Sequence, residues 1–212
     1  MTATRLMLTT ALATLSLTAA ARAETAIVAG GCFWCVEADF ESVEGVGDVV
    51  SGFTGGTTAA PVYRASGDHI EAVRIPFDED VVSYREILDL FLRSIDPFDS
   101  GGQFCDRGLE YTTAIYVESA AQREAAEAAI AAAEQELGRE VVTPVRDFDQ
   151  FYPVGAYHQD YYKSEDRIAF SSVGLAVPKE VAYERYREGC GRDQRVRQIW
   201  GDDAPFVGEA GS

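Results

Sequence analysis

The order of the predicted strands and helices constrains the fold of this chain more than any other feature of its sequence. Short apolar runs bounded by glycine predict strands, whereas apolar residues that recur every three or four positions predict helices. These patterns predict, in order, strand 25–29, helix 32–40, strand 48–53, strand 70–75, helix 83–95, strand 111–117 and helix 119–137. The first six elements follow the order of a split βαβ unit. The sequence therefore predicts an α+β fold, with a two-layer ferredoxin-like βαββαβ core and an extended irregular C-terminal tail.

Residues 1–23 have the three parts of a secretory signal peptide. Arg5 supplies the positive charge, residues 6–17 are mostly apolar, and Ala21-Arg22-Ala23 has the pattern of a cleavage site. The segment has no acidic residue and no polar face at helical spacing, which argues against a buried amphipathic helix. We therefore expect cleavage after Ala23 and a periplasmic or secreted protein.

The charge of the chain excludes several kinds of partner. Its 212 residues include 35 acidic and 18 basic side chains, which gives a net charge of −17. Nucleic-acid binding needs clustered cations, and anionic membrane surfaces repel acidic proteins. We therefore expect no nucleic-acid partner and, after signal removal, no membrane partner. A hydrophobic content of 47% is typical of a globular domain, which we expect to be a monomer.

The strongest chemical signal is Gly30-Gly31-Cys32-Phe33-Trp34-Cys35, where two glycines end a strand and a cysteine begins a helix. The unpaired amide N–H groups and the positive end of the helix dipole stabilise a thiolate at such a position. Because the thiolate is the reactive form of cysteine, we expect Cys32 to be a nucleophile with a lowered pKa.

Other interpretations of this segment remain open at this point. A Cys-x-x-Cys pair at a strand-to-helix junction also fits a thiol–disulfide oxidoreductase that uses Cys32 and Cys35. A zinc site is disfavoured, because Cys105 and Cys190 do not form a second close pair. The non-enzymatic alternative is an acidic, secreted binding domain with structural disulfides.

The same segment resembles the active-site motif of the A-type peptide methionine sulfoxide reductases. Further motifs of that family occur in its order, and together they cover most of the chain. They are Gly52-Phe53-Thr54-Gly55-Gly56, Pro61-Val62-Tyr63, His69-Ile70-Glu71, Asp96-Pro97, Asp106 with Tyr111, Phe151-Tyr152 and Tyr157-His158-Gln159-Asp160-Tyr161-Tyr162. The resemblance implies an enzyme that reduces the S epimer of methionine sulfoxide in proteins, in small peptides or as the free amino acid.

The resemblance also implies roles for individual residues. Cys32 attacks the sulfoxide and ends as a sulfenic acid. Glu71 matches the residue that protonates the departing oxygen, which requires a carboxyl group with a raised pKa.

Five more residues are implied in the substrate pocket. Tyr63 and Tyr111 match two phenol donors that hold the sulfoxide oxygen, and Asp106 matches a carboxylate of the pocket. Phe33 and Trp34 are expected to enclose the S-methyl group by apolar contact. No metal and no bound cofactor are expected.

Turnover requires a second thiol that reduces the sulfenic acid and forms an intramolecular disulfide. Cys190 lies between two glycines in a weakly patterned segment, and resolving cysteines of this family often lie in such segments. It is therefore our choice, with Cys105, beside Asp106, as its competitor and Cys35 as a third candidate. The disulfide is then reduced by a thioredoxin-like dithiol.

The sequence departs from the family at a few positions. Phe53 stands where the family usually has tyrosine, and Glu110 introduces a carboxyl group close to Tyr111. The segment between Tyr63 and Glu71 is about four residues shorter than usual. We divide the chain into a signal peptide (1–23), a catalytic domain (24–168) and a tail with the resolving cysteine (169–212).

Overall fold

The computed structural model describes residues 23–168 and 176–208. The predicted signal peptide, apart from Ala23, lies outside these residues. The helices are α1 (Phe33–Glu41), α2 (Tyr84–Arg93), α3 (Ala120–Leu137), α4 (Lys179–Cys190) and α5 (Arg192–Trp200). The strands are β1 (Ala23–Gly30), β2 (Val50–Thr54), β3 (Ile70–Asp78), β4 (Gly102–Gln103), β5 (Asp106–Arg107), β6 (Thr113–Val117), β7 (Val145–Asp147) and β8 (Phe151–Pro153).

Six of the strands form one mixed sheet in the order β7-β6-β1-β3-β2-β8. Neighbouring strands are antiparallel except β6 and β7, which are parallel. The remaining pair, β4 and β5, forms a short hairpin. This mixed sheet with its helices confirms the predicted α+β class.

The alternation of side chains along the strands places the main core on one face of the sheet. On β3, Val73, Ile75 and Phe77 belong to the cluster that also contains buried side chains of α1, α2 and α3. Ile70 and Ala72 face the opposite side, in a smaller cluster. Glu71 lies two residues before Val73 on β3, so both side chains point to the same face of the sheet. This is the face that carries the helices.

The predicted start signal of α2 and the predicted stop signal of α3 are confirmed. The Ser83 side chain accepts from the backbone N–H of Glu86, and the Ser83 backbone N–H donates to the Glu86 carboxylate. This reciprocal pair is the capping box that the sequence predicts. Gly138 ends α3 in the left-handed conformation, with φ of 63°.

The prediction of an irregular C-terminal tail is wrong, because α4 and α5 occupy residues 179–200. The sequence pattern concealed them, because their buried side chains are mostly aromatic or basic and do not form an aliphatic repeat. Tyr183 is 4% exposed, and Arg187 and Arg192 are 5% and 2% exposed. A guanidinium group is buried only when it is paired, and the partner lies on α1, far away in sequence.

Asp39 on α1 is that partner. Its Oδ1 accepts from Nη1 of Arg187 at 2.6 Å, and its Oδ2 lies 3.7 Å from Nε of Arg192. The carboxylate is 4% exposed. Asp39 therefore ties both C-terminal helices to the helix that begins at Cys32.

Asp39→Ala should lower the free energy of unfolding by about 3–5 kcal/mol, because it leaves two buried guanidinium groups without their shared carboxylate. Urea denaturation followed by circular dichroism measures the change. The control is Asp89→Ala, which breaks the solvent-exposed ion pair with Arg85 and should cost less than about 1 kcal/mol. Equal losses for the two variants would contradict the structural role of Asp39.

Two further differences concern the sheet. The predicted strand 111–117 begins at Thr113, because residues Leu109–Tyr111 form a 3₁₀ turn that leads into β6. The short strands β7 and β8 were not predicted.

Among the described residues, no helix combines the length and hydrophobicity that crossing a membrane requires.

Candidate active site

Cys32 lies where β1 ends and α1 begins, as the sequence predicts. Gly31 makes the turn with φ of +83°, and a Cβ atom there would lie 2.6 Å from Cβ of Gln103. Only glycine fits both the conformation and the space. Cys32 is the N-cap residue of α1 and is 6% exposed. The turn therefore directs the thiol into the interior beside the first turn of the helix.

Glu71 lies at the same helix terminus. Its Oε2 accepts a hydrogen bond of 3.0 Å from the backbone N–H of Phe33, and the residue is 3% exposed. Burial raises the pKa of Glu71 well above its ordinary value, and the charges of Glu110 and Asp106 raise it further. The Phe33 hydrogen bond acts in the opposite direction but is smaller. A carboxyl group in this environment keeps its proton in the range where a general acid is needed.

A cavity of about 80 Å³ brings the candidate residues together. It is lined by Cys32, Phe33, Trp34, Tyr63, Glu71, Asp106, Tyr111 and Tyr186. All of the sequence-predicted site residues except Cys190 line it. Tyr186, from α4, was not predicted.

Two of the phenols face the carboxyl group from different loops. Tyr63 lies in the turn between β2 and β3, and Tyr111 ends the 3₁₀ turn before β6. Burial raises the pKa of both hydroxyl groups, and the charge of Glu71 adds to the shift. Both phenols therefore remain protonated and can donate hydrogen bonds to an oxygen atom in the cavity.

Aromatic rings form the wall of the cavity. Trp34 stacks on Tyr161 with ring centroids 4.0 Å apart and on His158 at 5.7 Å. The His158 ring lies 3.9 Å from the Tyr63 ring, and burial lowers its pKa to about 4. At neutral pH an uncharged His158 imidazole therefore packs against the rings of Trp34 and Tyr63. Phe33 is a core residue, 1% exposed.

The predicted lowering of the Cys32 pKa is wrong for this state of the protein. Burial raises the pKa of the Cys32 thiol well above its ordinary value, and its hydrogen bond with Cys35 adds to the shift. A hydrogen bond with Tyr186 lowers the Cys32 pKa, but this effect is smaller than the others. Two N–H groups of the first turn are not available to the sulfur, because the Phe33 N–H donates to Glu71 and the Cys35 N–H donates to the Cys32 carbonyl.

The four cysteines fall into two pairs. Cys105 and Cys190 form a disulfide bond, with Cα atoms 4.8 Å apart. Cys32 and Cys35 are free and buried. Cys190 and its competitor Cys105 are thus joined to each other and not to Cys32, while the third candidate, Cys35, is free.

The described residues contain two clusters with metal-ligand side chains. One consists of Cys105, Asp106 and Cys190, the other of Glu37, Glu41 and Asp160. The two sulfurs of the first are in the disulfide, and neither cluster includes Cys32 or Cys35. The zinc interpretation of the Cys-x-x-Cys segment therefore gains no support.

Tyr186 is the site residue that sequence reasoning missed. Its hydroxyl donates a hydrogen bond to Asp106, and its ring lies edge-on to Trp34 at 6.2 Å. The available signal was the spacing of Ala182, Tyr186 and Cys190, four residues apart, which places them on one face of a helix. Without a recognised helix there, this spacing carried no weight.

Comparisons with known proteins agree with this arrangement. A family model for peptide methionine sulfoxide reductase matches residues 24–195. The chain is 46% identical over 187 residues to peptide methionine sulfoxide reductase MsrA 2 of Rhizobium meliloti (strain 1021), with 87% of each chain covered. It is 40% identical to peptide methionine sulfoxide reductase MsrA of Bacillus pumilus (strain SAFR-032), over 84% of this chain and 96% of the relative.

The fold is similar to the crystal structure of Mxr1 from Saccharomyces cerevisiae in reduced form. The TM-score is 0.63 at 23% identity, and the match covers 67% of this chain and 85% of that one. The family match includes Cys32 and Glu71, and the matches to the two relatives extend over most of the sequence. The chain therefore belongs to the A-type peptide methionine sulfoxide reductase family.

Proposed function

We propose that this peptide methionine sulfoxide reductase acts on the S epimer of methionine sulfoxide in proteins, in small peptides and as the free amino acid. The observation that carries the proposal is the single cavity in which a thiol, a buried carboxyl group and two phenols meet. Chirality at the sulfoxide sulfur fixes where the oxygen points once the methyl group is held. Donors on one side of the cavity therefore select one epimer.

The first step transfers the sulfoxide oxygen to Cys32. The Cys32 sulfur attacks the sulfoxide while Glu71 donates its proton to the oxygen, and the thiol proton of Cys32 passes to the Glu71 carboxylate. In the net reaction the thiol and the sulfoxide become a sulfenic acid and a thioether, and two electrons pass from Cys32 to the substrate sulfur. The buried Glu71, whose pKa is raised, is suited to deliver that proton.

The other residues of the cavity hold the substrate. Tyr63 and Tyr111 donate hydrogen bonds to the sulfoxide oxygen and stabilise the charge that develops on it. Asp106 lies at the edge of the pocket, where Tyr186 binds it. Trp34 and Phe33 enclose the S-methyl group.

The second step consumes the sulfenic acid. The Cys190 thiol attacks the Cys32 sulfur, so that a Cys32–Cys190 disulfide forms and water leaves. Cys105 then attacks the Cys190 sulfur and releases the Cys32 thiol. The Cys105–Cys190 disulfide with a free Cys32 is the product of this sequence, and this arrangement of the cysteines supports it. A thioredoxin-like dithiol would reduce that disulfide and complete the cycle.

Cys190→Ser should release one equivalent of methionine per enzyme and then stop when the reductant is a dithiol protein. The first step needs only Cys32, whereas regeneration needs the second thiol. Rapid-quench measurement of methionine against time gives the stoichiometry. Undiminished multiple turnover would exclude Cys190 and assign the resolving role to Cys105, which this variant leaves as a free thiol, or to Cys35.

We also propose how the chain is organised. A signal peptide (1–23) would direct it to the periplasm or the medium, where the oxidising environment permits the Cys105–Cys190 disulfide. Residues 24–168 would form the catalytic domain, and residues 169–212 would contain the resolving cysteine. The protein would be a monomer. The strand order β6-β1-β3-β2 with α1 and α2 supports a ferredoxin-like core.

The decisive test is an assay with each sulfoxide epimer of a methionine-containing peptide, in the parent and in Cys35→Ser. We expect methionine only from the S epimer, and we expect Cys35→Ser to keep most of this activity. Equal reduction of both epimers would overturn the stereochemical proposal. Loss of activity in Cys35→Ser, with disulfide exchange activity in the parent, would favour a thiol–disulfide oxidoreductase.

A further inference from the structure

Tyr186 connects the active-site cavity to the helix that carries Cys190. It lines the cavity, donates a hydrogen bond to Asp106 and lies edge-on to Trp34, with an interplanar angle of 84°. Cys190 follows it by four residues at the end of α4. Residues four apart in a helix lie on the same face, about one turn from each other. The face of α4 that meets the cavity is therefore the face from which Cys190 projects.

We propose that Tyr186 is a positioning residue of the disulfide-forming step: its hydrogen bond to Asp106 holds α4 over the cavity so that Cys190 reaches the oxidised Cys32. The proposal rests on the role of Cys190 given above. It adds a residue to the reaction that neither the family motifs nor the sequence pattern indicated.

The contact lies beside both sulfurs of the disulfide. Asp106 follows Cys105 directly, at the start of β5, while Tyr186 is one helical turn before Cys190. While the disulfide is intact, it also fastens α4 to the β4–β5 hairpin. Once a reductant breaks it, the Tyr186–Asp106 hydrogen bond still joins α4 to the hairpin next to the sulfurs. The Arg192 guanidinium, 4.8 Å over the Phe104 ring, is a second contact there, but it comes from α5. The reduced state is the one in which Cys190 must find the sulfenic acid.

The other anchors of α4 lie elsewhere. Arg187 binds Asp39 behind the cavity, and Tyr183 packs in the cluster with Cys35 and Tyr161. These contacts keep α4 attached to the core when Tyr186 loses its hydroxyl. Neither Tyr183 nor Arg187 lines the cavity, whereas Tyr186 does. Intramolecular reactions depend strongly on orientation, so a small loss of order slows the step without unfolding the helix.

Tyr186→Phe tests the proposal, because it keeps the ring beside Trp34 and removes only the hydroxyl group. The fully reduced variant is mixed with one equivalent of S-epimer substrate and without any reductant. The sulfenic acid is then trapped with dimedone at increasing times and quantified by mass spectrometry. The readout is the lifetime of the sulfenic acid after it has formed, so the rate of its formation does not enter.

We expect Tyr186→Phe to lengthen this lifetime by about tenfold, which corresponds to about 1.4 kcal/mol. The matched control is Tyr162→Phe. That residue also donates a phenol hydrogen bond to a carboxylate, Glu41, at 2.7 Å, but it lies outside the cavity. The control should leave the lifetime unchanged. Equal lifetimes in Tyr186→Phe and the parent, or equal lengthening in both variants, would overturn the proposal.

Cys190→Ser separates this proposal from the one on which it rests. Its sulfenic acid should persist far longer than that of Tyr186→Phe. If it disappears as fast as in the parent, Cys190 is not the resolving thiol and the proposed second step fails. If it persists while Tyr186→Phe behaves as the parent, only the positioning role fails. Because the Tyr186 hydroxyl also hydrogen-bonds the Cys32 sulfur, Asp106→Asn, oxidised at Cys32 with hydrogen peroxide, is measured alongside. It weakens the Tyr186–Asp106 bond from the acceptor side and should lengthen the lifetime likewise; an unchanged lifetime would trace the effect of Tyr186→Phe to its contact with Cys32 and overturn the proposal.

Discussion

Cys32→Ser should abolish methionine release from sulfoxide, both in single turnover and with an excess of reductant. A serine hydroxyl is a weak nucleophile and does not form the sulfur–oxygen product in which the reaction ends. We expect the rate to fall by about 10⁶-fold, the scale of loss seen when a nucleophile is removed. Rapid-quench detection of methionine, with substrate in excess over enzyme, measures it.

The matched control is Cys35→Ser, on the same helix. Cys35 is as deeply buried and is hydrogen-bonded to Cys32, but it does not line the cavity. This variant should release methionine in the first turnover. A burst of methionine from Cys32→Ser would mean that the oxygen goes to another sulfur, and the proposed first step would be wrong.

Local sequence was sufficient to predict where Cys32 lies. A short strand, two glycines and a helix that begins at Cys32 are encoded within about ten residues. Glu71 followed from its family motif, and its orientation followed from the alternation along β3. The capping box at Ser83 is equally local.

The sequence could not predict what depends on distant residues. Cys105 and Cys190 are 85 positions apart, and four cysteines permit three sets of two disulfides. The position of Tyr186 depends on α4, whose buried face is stabilised by Asp39 from another part of the chain. The protonation state of Cys32 was misjudged for a similar reason. The helix terminus is a local feature, whereas burial is set by the whole fold and raises the pKa.

Glu71→Gln should lower the rate of methionine formation by about 10²–10⁴-fold, because the amide cannot give a proton to the sulfoxide oxygen. The side chain has nearly the same shape, and its carbonyl oxygen can still accept from the Phe33 N–H. The pH dependence should change as well. In the parent, activity falls as pH rises through the pKa of Glu71, which burial places well above 4.5. The variant should lack this descending limb.

Glu110→Gln provides the matched control for the pH profile. Glu110 is half-buried, accepts a hydrogen bond of 3.0 Å from Ser66, and raises the pKa of Glu71 by its charge. Removing that charge should move the descending limb to lower pH while activity at low pH persists. If the descending limb of the pH profile stays in place in Glu110→Gln, or survives in Glu71→Gln, it reflects the titration of a group other than Glu71.

Stability gives an independent check on the protonation of Glu71. Because its folded pKa lies above the unfolded value, the native state binds more protons, and this contribution to stability is lost as pH rises above about 4.5. A neutral glutamine avoids that loss. Glu71→Gln should therefore unfold at a higher temperature than the parent at pH 8, and the gap should narrow toward pH 4. If the variant is inactive and less stable at pH 8, its inactivity reflects a damaged site and not a missing proton donor.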